Sequence, residues 1–223
     1  CFVGMFPYLL WGGEFNIINA WFESVSGFTT TGATILTDIE ALPKGLLFWR
    51  SSTHWIGGVG VVMFTLTILP AFGKTRMTLS SVELSPLARD NFKYRTQKIV
   101  RILLFVYVGM TLAETILLRI AGMSWFDAVN HSFSTIATGG FSTRNLSIAA
   151  FDSPWIEVII IFFMFLAGIH FGLIFATLIG SRNNMLHSEV VRYYFICVAA
   201  GAIFITFNLW NSGIYDDFAT SLR

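Results

Sequence analysis

Charge and cysteine are both scarce in these 223 residues. Only 12% are Asp, Glu, Lys or Arg and the formal net charge is +1. That leaves no basic surplus to neutralise a phosphate backbone and excludes nucleic acid as a partner. The two cysteines, Cys1 and Cys197, form neither a metal-ligand spacing nor a disulfide framework, and Cys197 lies in an apolar run; the redox compartment stays open. His54, His131, His170 and His187 have no ligand-type partner one helical turn away, which argues against a bound transition metal. A basic leader with a cleavage site is also missing, and the chain opens on Cys1 rather than Met. The expectation is an internal piece of a longer protein. What is abundant is apolar: 55% hydrophobic residues, 23 Phe, 7 Trp and a mean hydropathy of +0.68. This balance points to a chain embedded in lipid.

A helix needs ~20 mostly apolar residues to cross ~30 Å of hydrocarbon. Residues 46–72, 99–121, 155–179 and 193–210 qualify or nearly so, and 2–11 reads as the tail of another span. Between them, 17–28 and 125–137 are apolar on one face and carry Ser, Asn and Glu or His on the other. At 1.5 Å rise per residue each covers only ~20 Å, so they are expected as re-entrant half-helices. The stretch 73–101 holds Lys74, Arg76, Arg89, Lys93, Arg95, Lys98 and Arg101 against Glu83 and Asp90, which places it on the cytoplasmic side. Arg182 and Arg192, two spans later, fall on the same side. Both half-helices then enter from outside, where Asp38, Glu40, Asp127 and Asp152 sit either as a mildly cation-favouring mouth or as solvated loop.

The chain repeats itself at an offset of 108 residues. Ala20, Ser24, Ser26, Thr30 and Gly32 fall on Ala128, Ser132, Ser134, Thr138 and Gly140, and Thr34 on Ser142. The reading is therefore all-α and transmembrane, built of span, half-helix, polar loop, span. Its parts are a first repeat over 1–72 with its first span truncated and a basic cytoplasmic linker over 73–98. A second repeat follows over 99–180, then a short cytoplasmic loop over 181–192 and the start of a third repeat over 193–223.

Each half-helix runs into a loop without helical pattern: Thr29-Thr30-Thr31-Gly32-Ala33-Thr34 and Ala137-Thr138-Gly139-Gly140-Phe141-Ser142. Irregular backbone at membrane depth is tolerated where it lines a cavity. Glycine lets successive carbonyls point one way, and threonine adds a hydroxyl oxygen. The half-helix C-terminus adds partial negative charge where the loop begins, which favours a cation over an anion. The expected cation ligands are backbone oxygens of Thr30, Thr31, Gly32, Ala33, Thr138, Gly139, Gly140 and Phe141. Glu23 and His131 occupy matching half-helix positions and are expected as supports. No covalent cofactor is expected; a cation is the substrate, and the filter residues are the only metal site.

The run 20–34, from Ala20 through Glu23 to Thr34, resembles the first pore loop of the Trk/Ktr/HKT potassium transporters. His54-Trp55-Ile56-Gly57-Gly58-Val59-Gly60 resembles the helix that follows it, and Trp125 to His131 with Ala137 to Thr143 resembles the second pore loop. The resemblance implies four potassium-channel-like repeats around one pseudo-fourfold pore, a homodimer, and a cytosolic ring of nucleotide-binding regulatory subunits. It implies a multi-pass protein of the plasma membrane, the inner membrane in a Gram-negative bacterium. Gly32 and Gly140 match the first glycine of the channel signature; sodium-preferring plant members carry serine at the first of these, so Gly32 favours potassium. The third and fourth loops and the gating loop of the third repeat are absent from this sequence. With two of four loops, dehydration costing ~20 kcal/mol would go uncompensated, so this segment is not expected to conduct alone.

No relay of buried acids and histidines runs through the spans, so gated, channel-like permeation is preferred to symport. Gly57, Gly58, Gly60 and the pair Gly168 and Gly172 read as close helix-packing positions, with a hinge beneath the filter as the alternative. Arg50 reads as a snorkelling charge, and Glu114 and Arg119 as groups buried against protein without a named partner. Ser24, Ser132, His54 and His131 raise an intramembrane hydrolase as an alternative, without a Gly-x-Ser-x-Gly elbow or an aspartate pair to support it. A non-conducting assembly fragment is the other alternative.

Overall fold

The computed structural model describes residues 1–77, 86–180 and 185–212, with the backbone alone over 61–77 and 86–99. Among these residues every regular element is a helix. The helices are α1 (Phe6–Trp11), α2 (Ile17–Phe28), α3 (Lys44–Met77), α4 (Pro86–Ile120), α5 (Trp125–Ile136), α6 (Pro154–Ala167), α7 (Phe171–Leu178) and α8 (Glu189–Asn211). The chain divides into two compact parts, Cys1–Phe171 and Gly172–Arg223.

In the first part, α2 and α5 are each 12 residues long, about 18 Å at 1.5 Å per residue and too short to span. Their starts are fixed by side-chain caps in register. Asn16 Oδ1 accepts from the Asn19 N–H at 2.8 Å, and Ser124 Oγ accepts from the Asp127 N–H at 3.1 Å, so each cap satisfies a donor the helix cannot. Each half-helix packs through equivalent residues. Phe15 and Ala20 are buried with Met5, Tyr8 and Leu46, while Met123 and Ala128 are buried with Leu118, Ile156 and Ile160. The helix α3 lies against both α2 and α5. Two glycines let it approach: a Cβ on Gly57 would overlap the Phe28 carbonyl at the end of α2, and one on Gly58 would stand 3.1 Å from Ala137 Cβ beyond α5. These two act as packing positions.

Residues 100–120 of α4 and the whole of α8 are long and apolar enough to cross a membrane, and α6 with α7 qualifies as a pair. The expected span over 155–179 is therefore interrupted. At Gly168 the chain leaves the α-helix, and the Ile169 N–H reaches back only three residues to the Leu166 carbonyl at 3.0 Å; glycine is a poor helix former and permits the break. Within the expected linker over 73–98 much of the backbone is helical. Helix continues to Met77 and restarts at Pro86, where proline suits a first helical position and Ala, Arg, Lys and Gln follow. Residues 78–85 of that linker, 181–184 of the 181–192 loop, and 213–223 at the end of the third expected repeat lie outside the described residues.

In the second part α8 exposes Phe195, Ile203, Phe204 and Phe207, a surface suited to hydrocarbon rather than water.

Candidate functional site

Both half-helices end in the same turn. After α2, the Thr30 N–H donates to the Gly27 carbonyl at 3.0 Å and the Thr31 N–H to the Ser26 carbonyl at 2.9 Å. After α5, the Thr138 N–H donates to Thr135 at 2.9 Å and the Gly139 N–H to Ser134 at 2.8 Å. This is a Schellman closure, whose pivot residue must be left-handed and is usually glycine. Here the pivots are Thr30 and Thr138, both at φ 55°, followed two residues later by Gly32 at φ 76° and Gly140 at φ 92°. A β-branched residue in that region is strained by ~1–3 kcal/mol. The strain occurs twice, at equivalent positions.

Among the described residues the carbonyls of Thr30, Thr31 and Gly32, and of Thr138, Gly139 and Gly140, accept no hydrogen bond. Ala33 departs from the expectation: its carbonyl accepts from Ser26 Oγ at 2.6 Å, which turns it toward the half-helix. The Phe141 side chain is buried. The two loops abut, for a Cβ on Gly32 would overlap the Gly139 carbonyl oxygen, whereas one on Gly140 meets nothing within 4 Å among the described residues. A cavity of about 340 Å³ adjoins the second loop, lined in part by His131, Thr135, Thr138, Gly140 and Met164.

Glu23 and His131 brace their own loops. Glu23 is fully buried; its Oε1 accepts from Thr34 Oγ1 and from the Ile35 N–H at 2.8 Å. His131 Nδ1 lies 2.8 Å from the Asp127 carbonyl. Because a carbonyl only accepts, Nδ1 carries the proton and, in a neutral ring, Nε2 accepts from Ser142 Oγ at 3.0 Å. Thr34 and Ser142 are equivalent under the repeat, so an acid in one copy and an imidazole in the other hold the same point of the loop.

Arg50 does not snorkel. It is 1% exposed and its Nε donates to Glu23 Oε2 at 3.3 Å. Nη2 reaches Thr34 Oγ1 at 3.2 Å and Nη1 the Ser142 carbonyl at 3.4 Å. The guanidinium lies 4.1 Å from the centre of the Phe141 ring, and His54, one turn along α3, stacks on that ring at 4.0 Å. His54 Nδ1 also meets Ser134 Oγ at 3.1 Å. In the sequence Arg50 reads as an interfacial cation, and nothing in the linear pattern names Glu23 as its partner. Glu114 is buried with both carboxylate oxygens unpartnered among the described residues, while Arg119 Nη1 donates to the Met123 carbonyl at 3.2 Å.

Beyond the loops, the outer segments clasp each other. Asn145 Oδ1 accepts from the Ile39 N–H at 2.7 Å, its Nδ2 donates to Asp38 at 2.8 Å, and Arg144 bridges Asp127 at 3.1 Å and Glu40 at 3.6 Å. Asp38 and Glu40 are thus tied to the second loop rather than free at a mouth. The Asn145 amide holds the Asp38 carboxyl below its ordinary range. The serines of the hydrolase reading are also occupied: Ser24 Oγ donates to the Cys1 carbonyl at 2.6 Å and Ser132 Oγ to the Ala128 carbonyl at 2.8 Å. Neither pairs with a histidine, so neither is activated as a nucleophile.

The family described as TrkH, cation transport protein, matches residues 4–217. The chain is 39% identical over 224 aligned positions to the Trk system potassium uptake protein TrkH of Salmonella typhimurium, covering 99% of this chain and 46% of that protein. It is 35% identical over 219 positions to TrkG of Escherichia coli, covering 96% and 45%. The crystal structure of the potassium transporter TrkH from Vibrio parahaemolyticus superposes with a TM-score of 0.78 at 30% identity, over 93% of this chain and 42% of that one. The chain spans about half the length of the curated relatives it matches. It belongs to the TrkH family of cation transport proteins.

Proposed function

We propose that this chain supplies two of the loops of a potassium-selective filter in a Trk-type uptake protein. The observation that carries this is the duplicated turn: two half-helices end in the same strained closure and leave a short row of unpaired carbonyls beyond each C-terminus. Carbonyl oxygens replace the hydration shell of a cation, and the half-helix dipole adds negative potential at the same point. Thr30, Thr31 and Gly32 with Thr138, Gly139 and Gly140 supply the oxygens. Ala33 contributes its place in the chain rather than its carbonyl, and Phe141 anchors the end of the second loop.

The contact of Gly32 with the Gly139 carbonyl gives the rule by which neighbouring loops pack, and Gly140 is left open to receive a further loop by the same rule. Four such loops would complete the coordination shell, in a pore of pseudo-fourfold symmetry with channel-like, gated permeation. The relatives' name as components of a Trk uptake system supports potassium as the cation carried across the plasma membrane. The same kinship supports, as part of this reading, partnership with a cytosolic nucleotide-binding regulatory subunit and a homodimeric assembly.

The test is rubidium uptake by the full-length transporter in cells that lack other potassium uptake, with sodium as competitor. Uptake that rescues growth on limiting potassium and resists excess sodium is expected. Growth rescue with no preference between the two ions would refute the filter reading.

A further inference from the structure

The repeat gives each loop its own brace, yet one side chain belongs to both loops. Arg50 is rooted in the first repeat by Glu23 and Thr34 and ends on the carbonyl of Ser142 in the second. The aromatic side chain that follows Gly140 lies beneath its guanidinium, 4.1 Å away. His54 stacks on the same ring at 4.0 Å. The second loop therefore takes the position of its outer end from a span of the first repeat.

We propose that Arg50 is a positioning residue for ion discrimination: through the Ser142 carbonyl and the Phe141 ring it sets the second loop, while Glu23 anchors its charge to the first. This rests on the reading of the loops as a filter. The physical argument is geometric. A planar guanidinium makes several directed bonds in one plane and stacks on an aromatic face, so it fixes the angle of what it touches. It does so from full burial, where a misplaced charge is costly and few alternative positions exist. Selectivity by carbonyls depends on where the oxygens stand, so loosening the outer end of one loop alters discrimination before it alters folding.

Arg50→Lys separates the two roles. Lysine keeps an ion pair with Glu23 and much of the packing, but as a point charge it cannot also hold the Ser142 carbonyl and stack on Phe141. The experiment uses the full-length transporter in membranes, comparing rubidium uptake and its inhibition by sodium at matched protein abundance. Arg50→Lys is expected to accumulate and transport with its potassium-over-sodium preference lowered about tenfold, the worth of one directed bond to a charged donor. The double variant Glu23→Gln with Arg50→Gln removes both charges together, leaves neither unpaired, and is expected to lose preference similarly.

A preference unchanged in both variants would overturn the proposal. If neither variant accumulates, Arg50 is a folding residue and the proposal falls as well. Gly140→Ser run alongside distinguishes the failures. If it shifts the preference while the Arg50 variants do not, the filter reading stands and the positioning role is wrong; if none shifts it, the filter reading itself fails.

Discussion

In the first repeat the loop is braced by Glu23, an acid that is fully buried and shares its charge with Arg50 on α3. In the second repeat the equivalent brace is His131, whose ring is satisfied by a carbonyl on its own helix and a hydroxyl on its own loop. The backbones are the same: caps at 16 and 124, pivots at 30 and 138, glycines at 32 and 140. The difference teaches that this turn does not require a charge behind it. A neutral brace is a local device. A charged one brings a counter-charge with it, and that counter-charge is then available to hold a neighbour.

The largest expected break in the comparison comes from the braces. Glu23→Gln leaves Arg50 buried and unpaired, and about 3–5 kcal/mol of stability should be lost. His131→Gln forfeits neutral hydrogen bonds and should cost about 1–2 kcal/mol. Thermal unfolding of the full-length protein in detergent measures both, and equal losses would show that the charge is not what separates the repeats. A smaller effect probes what the repeats share. Thr30→Gly and Thr138→Gly relieve the left-handed strain but add backbone freedom, and each should change stability by less than about 1 kcal/mol. Both should widen ion preference in uptake assays; an effect at one position only would mean that the two turns are not equivalent.

The smallest effect belongs to the outer clasp. Asn145→Ala removes bonds that are exposed to solvent, and only a marginal loss of stability is expected. Its pH dependence has a definite sign. The Asp38 carboxyl is lowered in the folded protein, so its contribution is present above the ordinary carboxylate range and is lost as the pH falls through the folded value. Stability of the wild type and of Asn145→Ala should therefore converge in acid and separate toward neutral pH.

Much of this architecture was legible in the sequence because the repeat is ungapped. The offset that aligns Ser26 with Ser134 also aligns the observed helices Ile17–Phe28 and Trp125–Ile136. The half-helices were recognisable by being too short to span. What was not legible depends on contacts between distant segments or on conformations that residue preference disfavours. Threonine at the pivot of a Schellman turn contradicts local propensity, so the closure at Thr30 and Thr138 carries no signature of its own. Arg50 resembles an interfacial cation in any linear reading, and only the fold brings Glu23 within 3.3 Å of it. Gly168 reads as a packing residue, whereas the helix ends at Ala167; at Gly60, 108 positions earlier, the helix is unbroken. Ala33 fell inside the loop motif, and its carbonyl is claimed by a serine that the repeat itself had marked as a shared position.

The central claim is that the paired loops discriminate among cations by the placement of their backbone oxygens. Gly32→Ser tests it most directly, because a side chain there meets the Gly139 carbonyl and sits at φ 76°. Measured as rubidium against sodium uptake by the full-length transporter at matched abundance, the variant is expected to lose about tenfold or more of its potassium preference. An unchanged ratio in a normally folded variant would contradict the account.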